Sequence, residues 1–351
     1  GSGGPLVVNV GHGRSEIIDA MHQQAQAVAY VHATMFTSEA VEAYSNALAE
    51  IVPLADPRFF YLNSGSEVVE GAMKLARQIQ MARGEMNRDI IICRSLSYHG
   101  MSLGALSVSG RPGLRTPYLG MMQNMPHIRH PYPYRFPATG RELADRLEES
   151  ILAYGPENVA GFIAEPISGA SLGAVVPPDD YWPRIREICD KYGVLLIADE
   201  VLVGMGRTGK WWAINHWNVR PDILVTSKGT AAGYFPLGFV AAQGEDVDLI
   251  YHKLGDFNHG GTFSHHAVGA AAGLATLHIL QRENLVENAA QRGLYINTQL
   301  HHAFAHHTHI GDIRGRGLFW GMEIVQDRAT KTPFSAKEKM AWRVAERAFE
   351  H

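Results

Sequence analysis

Short apolar runs alternate along the chain with longer segments in which apolar residues recur every three or four positions. Runs of this length predict buried strands, and the periodic segments between them predict helices. Continuous apolar strands that alternate with helices are typical of a mostly parallel sheet covered by helices on both faces, an α/β fold. The predicted strands are 58–62, 89–94, 159–165, 194–199, 223–226 and 237–242, and the predicted helices between them are 67–83, 141–154 and 180–192.

Segments on either side of this core predict a second, smaller α+β domain. We expect an N-terminal segment of residues 1–33 associated with the small domain, a large domain of residues 34–285, and the start of the small domain in residues 286–351. The last predicted helix has no stop signal, so we expect the small domain to be truncated. Further predicted elements are helices at 15–31, 38–51, 265–280, 284–307 and 335–350, and a strand pair within 311–324.

Composition argues against several classes of function. The 351 residues are 46% hydrophobic and 19% charged, and the formal net charge of −4 offers no basic surface for nucleic acid. No apolar run is long enough to cross a bilayer, and the first residues lack the basic start and apolar stretch of a secretory signal. The two cysteines, Cys93 and Cys189, are expected to be buried, reduced thiols, which fits a cytoplasmic protein.

Polar residues follow several predicted strands, where a parallel sheet binds its ligands. Ser64, Gly65 and Ser66 lie between a strand and a helix, so exposed amides and two hydroxyls could bind a phosphate. An ordinary helix N-cap is the alternative. Asp199 ends a buried apolar strand, which is costly unless the carboxylate meets a cation such as a protonated pyridine nitrogen. A structural carboxylate that accepts backbone hydrogen bonds is the alternative.

A lysine and a tyrosine follow two further strands. Lys228 comes just after the strand at 223–226, where burial would lower the pKa of its amine and free it to attack an aldehyde. A solvated surface lysine is the alternative. Tyr98, in the segment Ser97–Gly100, would reach the same edge of the sheet and could stack on a flat ring. Each of these residues is a weak signal alone, but together and in this order they form a more specific pattern.

The chain resembles the class III aminotransferases of the pyridoxal-phosphate fold-type I superfamily, in an omega-aminotransferase-like subgroup. The resemblance runs from Val8 to Val325, and its strongest motif is LLIADEVLVGMGRTG at Leu195–Gly209. The motif DILVTSKG follows, with Lys228 as its lysine, and then PLG at Pro236–Gly238. The resemblance implies the fold-type I architecture, with residues 34–285 as the domain that binds pyridoxal 5′-phosphate.

The resemblance also implies roles for individual residues. Lys228 would hold the cofactor as a Schiff base and Asp199 would hold its pyridine nitrogen, which makes these two the catalytic residues. Thr262 would reach the phosphate of the neighbouring subunit's cofactor, which implies a homodimer with shared active sites. Glu165 would lie on the substrate side of the ring. The complete set of cofactor-binding residues that the resemblance implies is Ser64, Gly65, Ser66, Tyr98, His99, Asp199, Val201, Lys228 and Thr262.

The implied activity is transfer of an amino group from an amine or amino acid, with an ω- or β-amino acid as one option, to a keto acid such as pyruvate or 2-oxoglutarate. The reaction would follow a ping-pong course. An aminomutase, a racemase or a decarboxylating enzyme on the same fold is the alternative, as is a non-catalytic module that binds pyridoxal phosphate. In many relatives a C-terminal lobe supplies an arginine that binds a substrate carboxylate.

A cluster of histidines and one arginine lie outside the predicted site. His302 and His306 lie four positions apart on a predicted helix and could chelate zinc, but no cysteine or carboxylate completes a ligand set. A solvated polar face is the interpretation we adopt, and no metal site is predicted. Arg316 is interpreted as a structural arginine at the junction of the two domains.

Overall fold

A computed structural model describes residues 4–169 and 171–350 of the chain. Within these residues, seven strands form a large sheet in the order β1-β7-β6-β5-β4-β2-β3. The pairs from β3 through β6 are parallel, and β7 is antiparallel to both of its neighbours. The strands are β1 Arg58–Leu62, β2 Ile90–Arg94, β3 His127–Ile128, β4 Val159–Ala164, β5 Leu195–Asp199, β6 Ile223–Thr226 and β7 Gly238–Ala242.

The central strands are buried on both faces, which explains their unbroken apolar sequence. Every residue of β4 is buried, as is every residue of β5. Successive side chains point to opposite faces, so Leu196 packs in one hydrophobic cluster and Ile197 in another. The register places Ile197 opposite Ile163 of β4 and Ile223 of β6. The sheet therefore separates two cores, and the predicted α/β architecture is confirmed.

Helices cover the sheet on both sides and extend beyond it. The Thr139 hydroxyl and the Glu142 carboxylate form a reciprocal capping box at the start of α6, and the Ser64 hydroxyl caps α3. The helices are α1 Ser15–Ala27, α2 Glu39–Ala49, α3 Gly65–Ala82, α4 Leu103–Val108, α5 Pro112–Arg115, α6 Gly140–Tyr154, α7 Tyr181–Tyr192, α8 Gly244–Leu254, α9 Ala267–Arg282, α10 Leu285–Phe304 and α11 Met340–Phe349.

A small antiparallel sheet follows α10 and confirms the predicted strand pair. Its strands are β8 Ile310–Arg316, β9 Phe319–Asp327 and β10 Thr332–Pro333, in the order β10-β9-β8. Arg314 of β8 ties this sheet to the large domain, because its Nε donates to the carbonyl of Gly173 at 2.8 Å and its Nη2 to that of Leu172 at 2.6 Å. The division into domains at residues 33 and 285 stays a prediction, and its residues 1–3, 170 and 351 lie outside the described part.

Two predicted helices were wrong at one end. The helix predicted at 15–31 ends at Ala27, because Val28 adopts an extended conformation with φ −150° and ψ 107°. The helix predicted at 335–350 begins only at Met340. It is preceded by a short 3₁₀ helix at Ala336–Glu338 and by Lys339, whose φ of 47° interrupts the helical path.

Three further observations bear on the sequence analysis. Cys93 and Cys189 are free and buried, as predicted. In the part of the chain that the structure describes, no helix has the length and apolar character needed to cross a membrane. No group of three or more histidine, cysteine or acidic side chains among these residues could hold a metal ion.

Candidate active site

A cavity of about 810 Å³ lies at the edge of the large sheet where its central strands end. It receives residues that follow the carboxyl ends of β1, β2, β4, β5 and β6, as expected for a sheet of this kind. Nine of the residues singled out from the sequence line it together: Ser64, Gly65, Ser66, Tyr98, His99, Glu165, Asp199, Val201 and Lys228.

The start of α3 forms one wall of the cavity. The Ser64 hydroxyl accepts a hydrogen bond from the Glu67 amide at 3.3 Å, so this side chain serves as the helix N-cap. Gly65 packs against the side chain of Val201, and a Cβ atom at position 65 would lie 3.1 Å from Val201 Cγ1. The amides at the start of a helix attract anions. The first turn of α3 is therefore capped by Ser64 and is also a candidate anion site.

The turn that contains Tyr98 and His99 packs tightly against this wall. Gly100 has a φ of 137°, and a Cβ atom there would lie 2.6 Å from Ser66 Oγ and 2.9 Å from Ser66 Cα. The Ser66 hydroxyl accepts a hydrogen bond from the Met101 amide at 3.0 Å. Glycine is therefore required at position 100 for both its conformation and its lack of a side chain. The half-buried Tyr98 is thereby held at the cavity.

A buried ion pair or hydrogen bond joins the ends of two strands. His99 Nδ1 lies 2.6 Å from Asp199 Oδ2, and the other oxygen, Oδ1, accepts a hydrogen bond from the Val201 amide at 3.0 Å. Both side chains are buried, and His99 Nε2 has no hydrogen-bond partner among the described residues. The structural interpretation of Asp199 is thus correct in part. The same carboxylate still lines the cavity and can meet a cation there.

Lys228 lies in a strained turn beneath the cavity. Its φ of 43° is in the left-handed region, and it begins the 3₁₀ helix Lys228–Thr230. Burial lowers the pKa of its amine below the usual value, while the nearby carboxylates of Asp199 and Glu165 oppose that shift. The alternative of a solvated surface lysine is wrong. A partly desolvated amine of this kind is a nucleophile for carbonyl groups.

Asn9 holds this turn, and the sequence analysis did not single it out. Its Nδ2 donates to the carbonyl of Gly229 at 3.2 Å and is 3.3 Å from the carbonyl of Met205. A Cβ atom at Gly229 would lie 2.9 Å from Asn9 Nδ2, so the contact depends on glycine. Asn9 thus fixes the segment next to Lys228 from a position more than 200 residues away in the chain.

Glu165 is buried beside the cavity together with an arginine that the sequence analysis missed. Burial raises the pKa of the Glu165 carboxyl, and the positive charges of His99 and Arg94 oppose that shift. Arg94 Nη2 donates to the backbone carbonyl of Glu165 at 2.5 Å and lies 3.6 Å from its Oε2. Arg94 ends β2 as Asp199 ends β5, so the rule that found the aspartate could also have found the arginine.

Thr262 does not line this cavity. It is exposed in the turn Gly261–Ser264, which is closed by the Ser264 hydroxyl donating to the Gly261 carbonyl at 2.7 Å. Its expected contact is with the cofactor of a second subunit, so this role stays a prediction.

Comparison with known proteins assigns the chain to a family. The family model for aminotransferase class-III matches residues 2–349. The chain is a class III aminotransferase. The aminotransferase is 40% identical over 347 residues to an uncharacterized aminotransferase of Schizosaccharomyces pombe, with 97% of this chain and 76% of that protein covered. It is 38% identical over 349 residues to the taurine–pyruvate aminotransferase of Bilophila wadsworthia, with 95% and 75% covered.

A solved structure agrees with this assignment. The omega-transaminase of Pseudomonas jessenii in complex with PMP superposes on the aminotransferase with a TM-score of 0.90 at 34% identity. The match covers 95% of this chain and 76% of that one. The fold-type I architecture is therefore confirmed. The aminotransferase uses pyridoxal 5′-phosphate and transfers amino groups to keto acids, which favours transamination over the alternative activities.

The cavity of the aminotransferase suits this cofactor. The buried Asp199 carboxylate is acceptor-only when ionised and matches a protonated ring nitrogen. The amides at the start of α3, which begins at the cavity residue Gly65, match a phosphate. Lys228 supplies an amine with a lowered pKa on the same cavity.

Proposed function

We propose that Lys228 binds pyridoxal phosphate covalently and that the amino donor is an ω- or β-amino acid or a simple amine, with pyruvate or 2-oxoglutarate as the acceptor. The observation that carries this proposal is the convergence of Lys228, Asp199 and the start of α3 on one cavity. The taurine–pyruvate relative supports a donor whose amino group is not on the α-carbon of a carboxylate, and pyruvate as the acceptor.

Each residue then has a separate task in the proposal. The bound cofactor supplies an electron-withdrawing ring that weakens the Cα–H bond of the donor. Lys228 Nζ takes the Cα proton and holds it for return to the reacting group, which requires the neutral amine that burial favours. Asp199, fixed by His99 and the Val201 amide, would present its carboxylate to the ring nitrogen. Tyr98 and Val201 would pack on the ring, and Glu165 would face the substrate.

The proposed site is tested by trapping. Purified enzyme is mixed with pyridoxal phosphate, its visible absorption band is recorded, and borohydride reduction followed by peptide mapping locates the labelled lysine. Label on Lys228 supports the assignment, and label scattered over surface lysines contradicts it. The Lys228→Ala variant should form no keto product from any donor, whereas a rate equal to that of the wild type would rule out this role for Lys228.

We propose in addition that the enzyme is a homodimer in which Thr262 contributes to the neighbouring active site. Support comes from the exposure of Thr262 and of the adjacent Phe263, whose side chain is 58% exposed and stacks edge-on with Tyr30. Sedimentation analysis should give twice the mass of the chain. The Thr262→Ala variant should lose cofactor affinity although residue 262 does not line its own cavity.

We also propose a cytoplasmic location. Both cysteines are free and buried, which is consistent with a reducing compartment. Fractionation of expressing cells with an antibody against the chain tests this proposal, and recovery of the enzyme outside the cytoplasmic fraction would contradict it.

A further inference from the structure

Arg111 lines the same cavity as Lys228. The proposed function assigns no role to Arg111. It is half-buried, and its guanidinium forms no hydrogen bond or ion pair with any residue in 4–169 or 171–350. The two carboxylates that line the cavity each already have a partner, Asp199 in His99 and Glu165 in Arg94. Within the described part of the chain, the Arg111 side chain therefore has no partner in the active-site cavity.

The backbone holds Arg111 at this position. The Gly110 amide donates to the Ser97 carbonyl at 2.9 Å, and the Leu96 amide donates to the Gly110 carbonyl at 3.0 Å. A Cβ atom at Gly110 would lie 2.3 Å from the Arg94 carbonyl, so the two segments are in close contact. Pro112 follows and begins α5, which restricts the chain after Arg111. The arginine is thus presented by a fixed turn.

The surroundings of Arg111 favour binding of an anion. The cavity is lined largely by apolar side chains, among them Leu6, Leu114, Phe319 and Trp320. A guanidinium partly withdrawn from water beside such a wall gains more from an anionic partner than one in bulk solvent does. Its planar fork of donors fits the paired oxygens of a carboxylate or a sulfonate.

We propose that Arg111 binds the carboxylate or sulfonate of an acidic substrate and thereby makes the enzyme prefer ω-amino acids and aminosulfonates to simple amines. The inference rests on the proposed function, because it requires that the substrate's amino group reacts in the cavity that contains Lys228. The cofactor phosphate is a second anion that could reach Arg111, but the start of α3 on the same cavity already suits it. The two anions are distinguished by experiment.

The test compares two donors that differ only in the acid group, 4-aminobutyrate and butylamine. Each is added to the holoenzyme without an acceptor, and the loss of the visible cofactor band gives an apparent dissociation constant for the donor. In Arg111→Met this constant should rise on the order of tenfold or more for 4-aminobutyrate and by less than about twofold for butylamine. Arg111→Lys should give an intermediate value for 4-aminobutyrate.

A control variant separates this effect from a general loss of charge. Arg146 is exposed on α6, pairs with Glu149 and does not line the cavity, so Arg146→Met should leave both constants unchanged. Equal changes for the two donors in Arg111→Met would overturn the inference. A weaker affinity for pyridoxal phosphate without discrimination between the donors would also overturn it, and would assign Arg111 to the phosphate. Unchanged constants for both donors would overturn the inference as well.

A binding measurement keeps this inference distinguishable from the proposed function. Butyrate carries the acid group but no amine, so calorimetric titration of the holoenzyme with butyrate does not depend on transfer. Binding of butyrate that weakens on the order of tenfold in Arg111→Met supports the acid site even if neither donor reacts, in which case the proposed donors are wrong. Equal binding of butyrate to the wild type and to Arg111→Met overturns the inference even if both donors react.

Discussion

His99 Nδ1 lies 2.6 Å from Asp199 Oδ2, and this contact joins the turn after β2 to the end of β5. The Val201 amide donates to the second carboxylate oxygen, so the aspartate is oriented by two groups from different segments. A buried carboxylate held in this way stays in one orientation, which an electrostatic partner for a cofactor ring requires. The histidine is a positioning residue for the aspartate.

Substitution of the two partners should therefore have unequal effects. Asp199→Asn keeps the shape but removes the charge, and we expect kcat/KM to fall at least about a hundredfold. His99→Leu removes the ring nitrogens and with them the positioning contact, and we expect a fall of about tenfold. Steady-state kinetics with one donor and pyruvate measures both. A larger loss in His99→Leu than in Asp199→Asn would contradict the roles assigned to the pair.

The reactivity of Lys228 should depend on pH in a defined direction. Burial lowers the pKa of its amine below 10.5, so the neutral amine should become available at a lower pH than for an exposed lysine. Asp199 and Glu165 oppose this shift by stabilising the ammonium form, so Glu165→Gln should lower the pKa further. Labelling of the apoenzyme by pyridoxal and cyanoborohydride, mapped to Lys228 over a pH series, gives the midpoint. A midpoint at or above 10.5, or one that rises in Glu165→Gln, would contradict the prediction.

The residues that could be predicted from sequence are those that directly follow a strand. Asp199 and Lys228 were found because short apolar runs identify buried strands and because ligands collect at the carboxyl ends of such strands. The local sequence around Asp199 and Lys228 is therefore enough to predict that both lie at this edge of the sheet. The antiparallel direction of β7 was not predicted, since its sequence is as continuously apolar as that of its parallel neighbours.

Other site residues depend on contacts that local sequence does not reveal. Asn9 reaches Met205 and Gly229 across 196 and 220 positions of the chain, and nothing near Asn9 in sequence indicates those partners. Arg111 comes to the cavity because Gly110 packs on the backbone of Arg94 and Leu96. Asn9 and Arg111 reach the site through tertiary contacts, which the local sequence of either residue does not reveal.

Gly100 should be essential for binding of the cofactor. In Gly100→Ala the new Cβ would lie 2.6 Å from Ser66 Oγ and 2.9 Å from Ser66 Cα, which displaces the first turn of α3. We expect the affinity for pyridoxal phosphate to fall at least about tenfold, together with a loss of about 1–3 kcal/mol in the free energy of unfolding. Fluorescence titration with the cofactor and urea denaturation measure the two quantities.

Gly84→Ala is the matched control for this substitution. Gly84 has a φ of 90°, but a Cβ atom there would have no neighbour within 4 Å. It should therefore lose about 1 kcal/mol of stability from backbone strain alone and keep its affinity for the cofactor. Equal cofactor affinities in Gly100→Ala and Gly84→Ala would mean that contact with Ser66 is unimportant.

Two arginines of β8 should differ in their contribution to stability, although they lie only two positions apart. The Arg314 side chain is 10% exposed, holds the Leu172 and Gly173 carbonyls and pairs with Asp312 and Glu323. Arg316 is 34% exposed, and its partner Asp179 is 89% exposed. Arg314→Met leaves partly buried acceptors without a donor and should lower the free energy of unfolding by about 3 kcal/mol. Arg316→Met should lower it by less than about 1 kcal/mol, since exposed pairs contribute little.

Urea denaturation of the two variants tests this difference directly. Because Gly173 lines the active-site cavity, Arg314→Met should also raise the KM for the donor, whereas Arg316→Met should not. Lysine at position 314 should restore part of the stability but not the paired contacts with both carbonyls, because its ammonium lacks the planar fork of donors. If Arg316→Met proved the more destabilising variant, the junction between the small sheet and the large domain would depend on the exposed pair with Asp179 and not on Arg314.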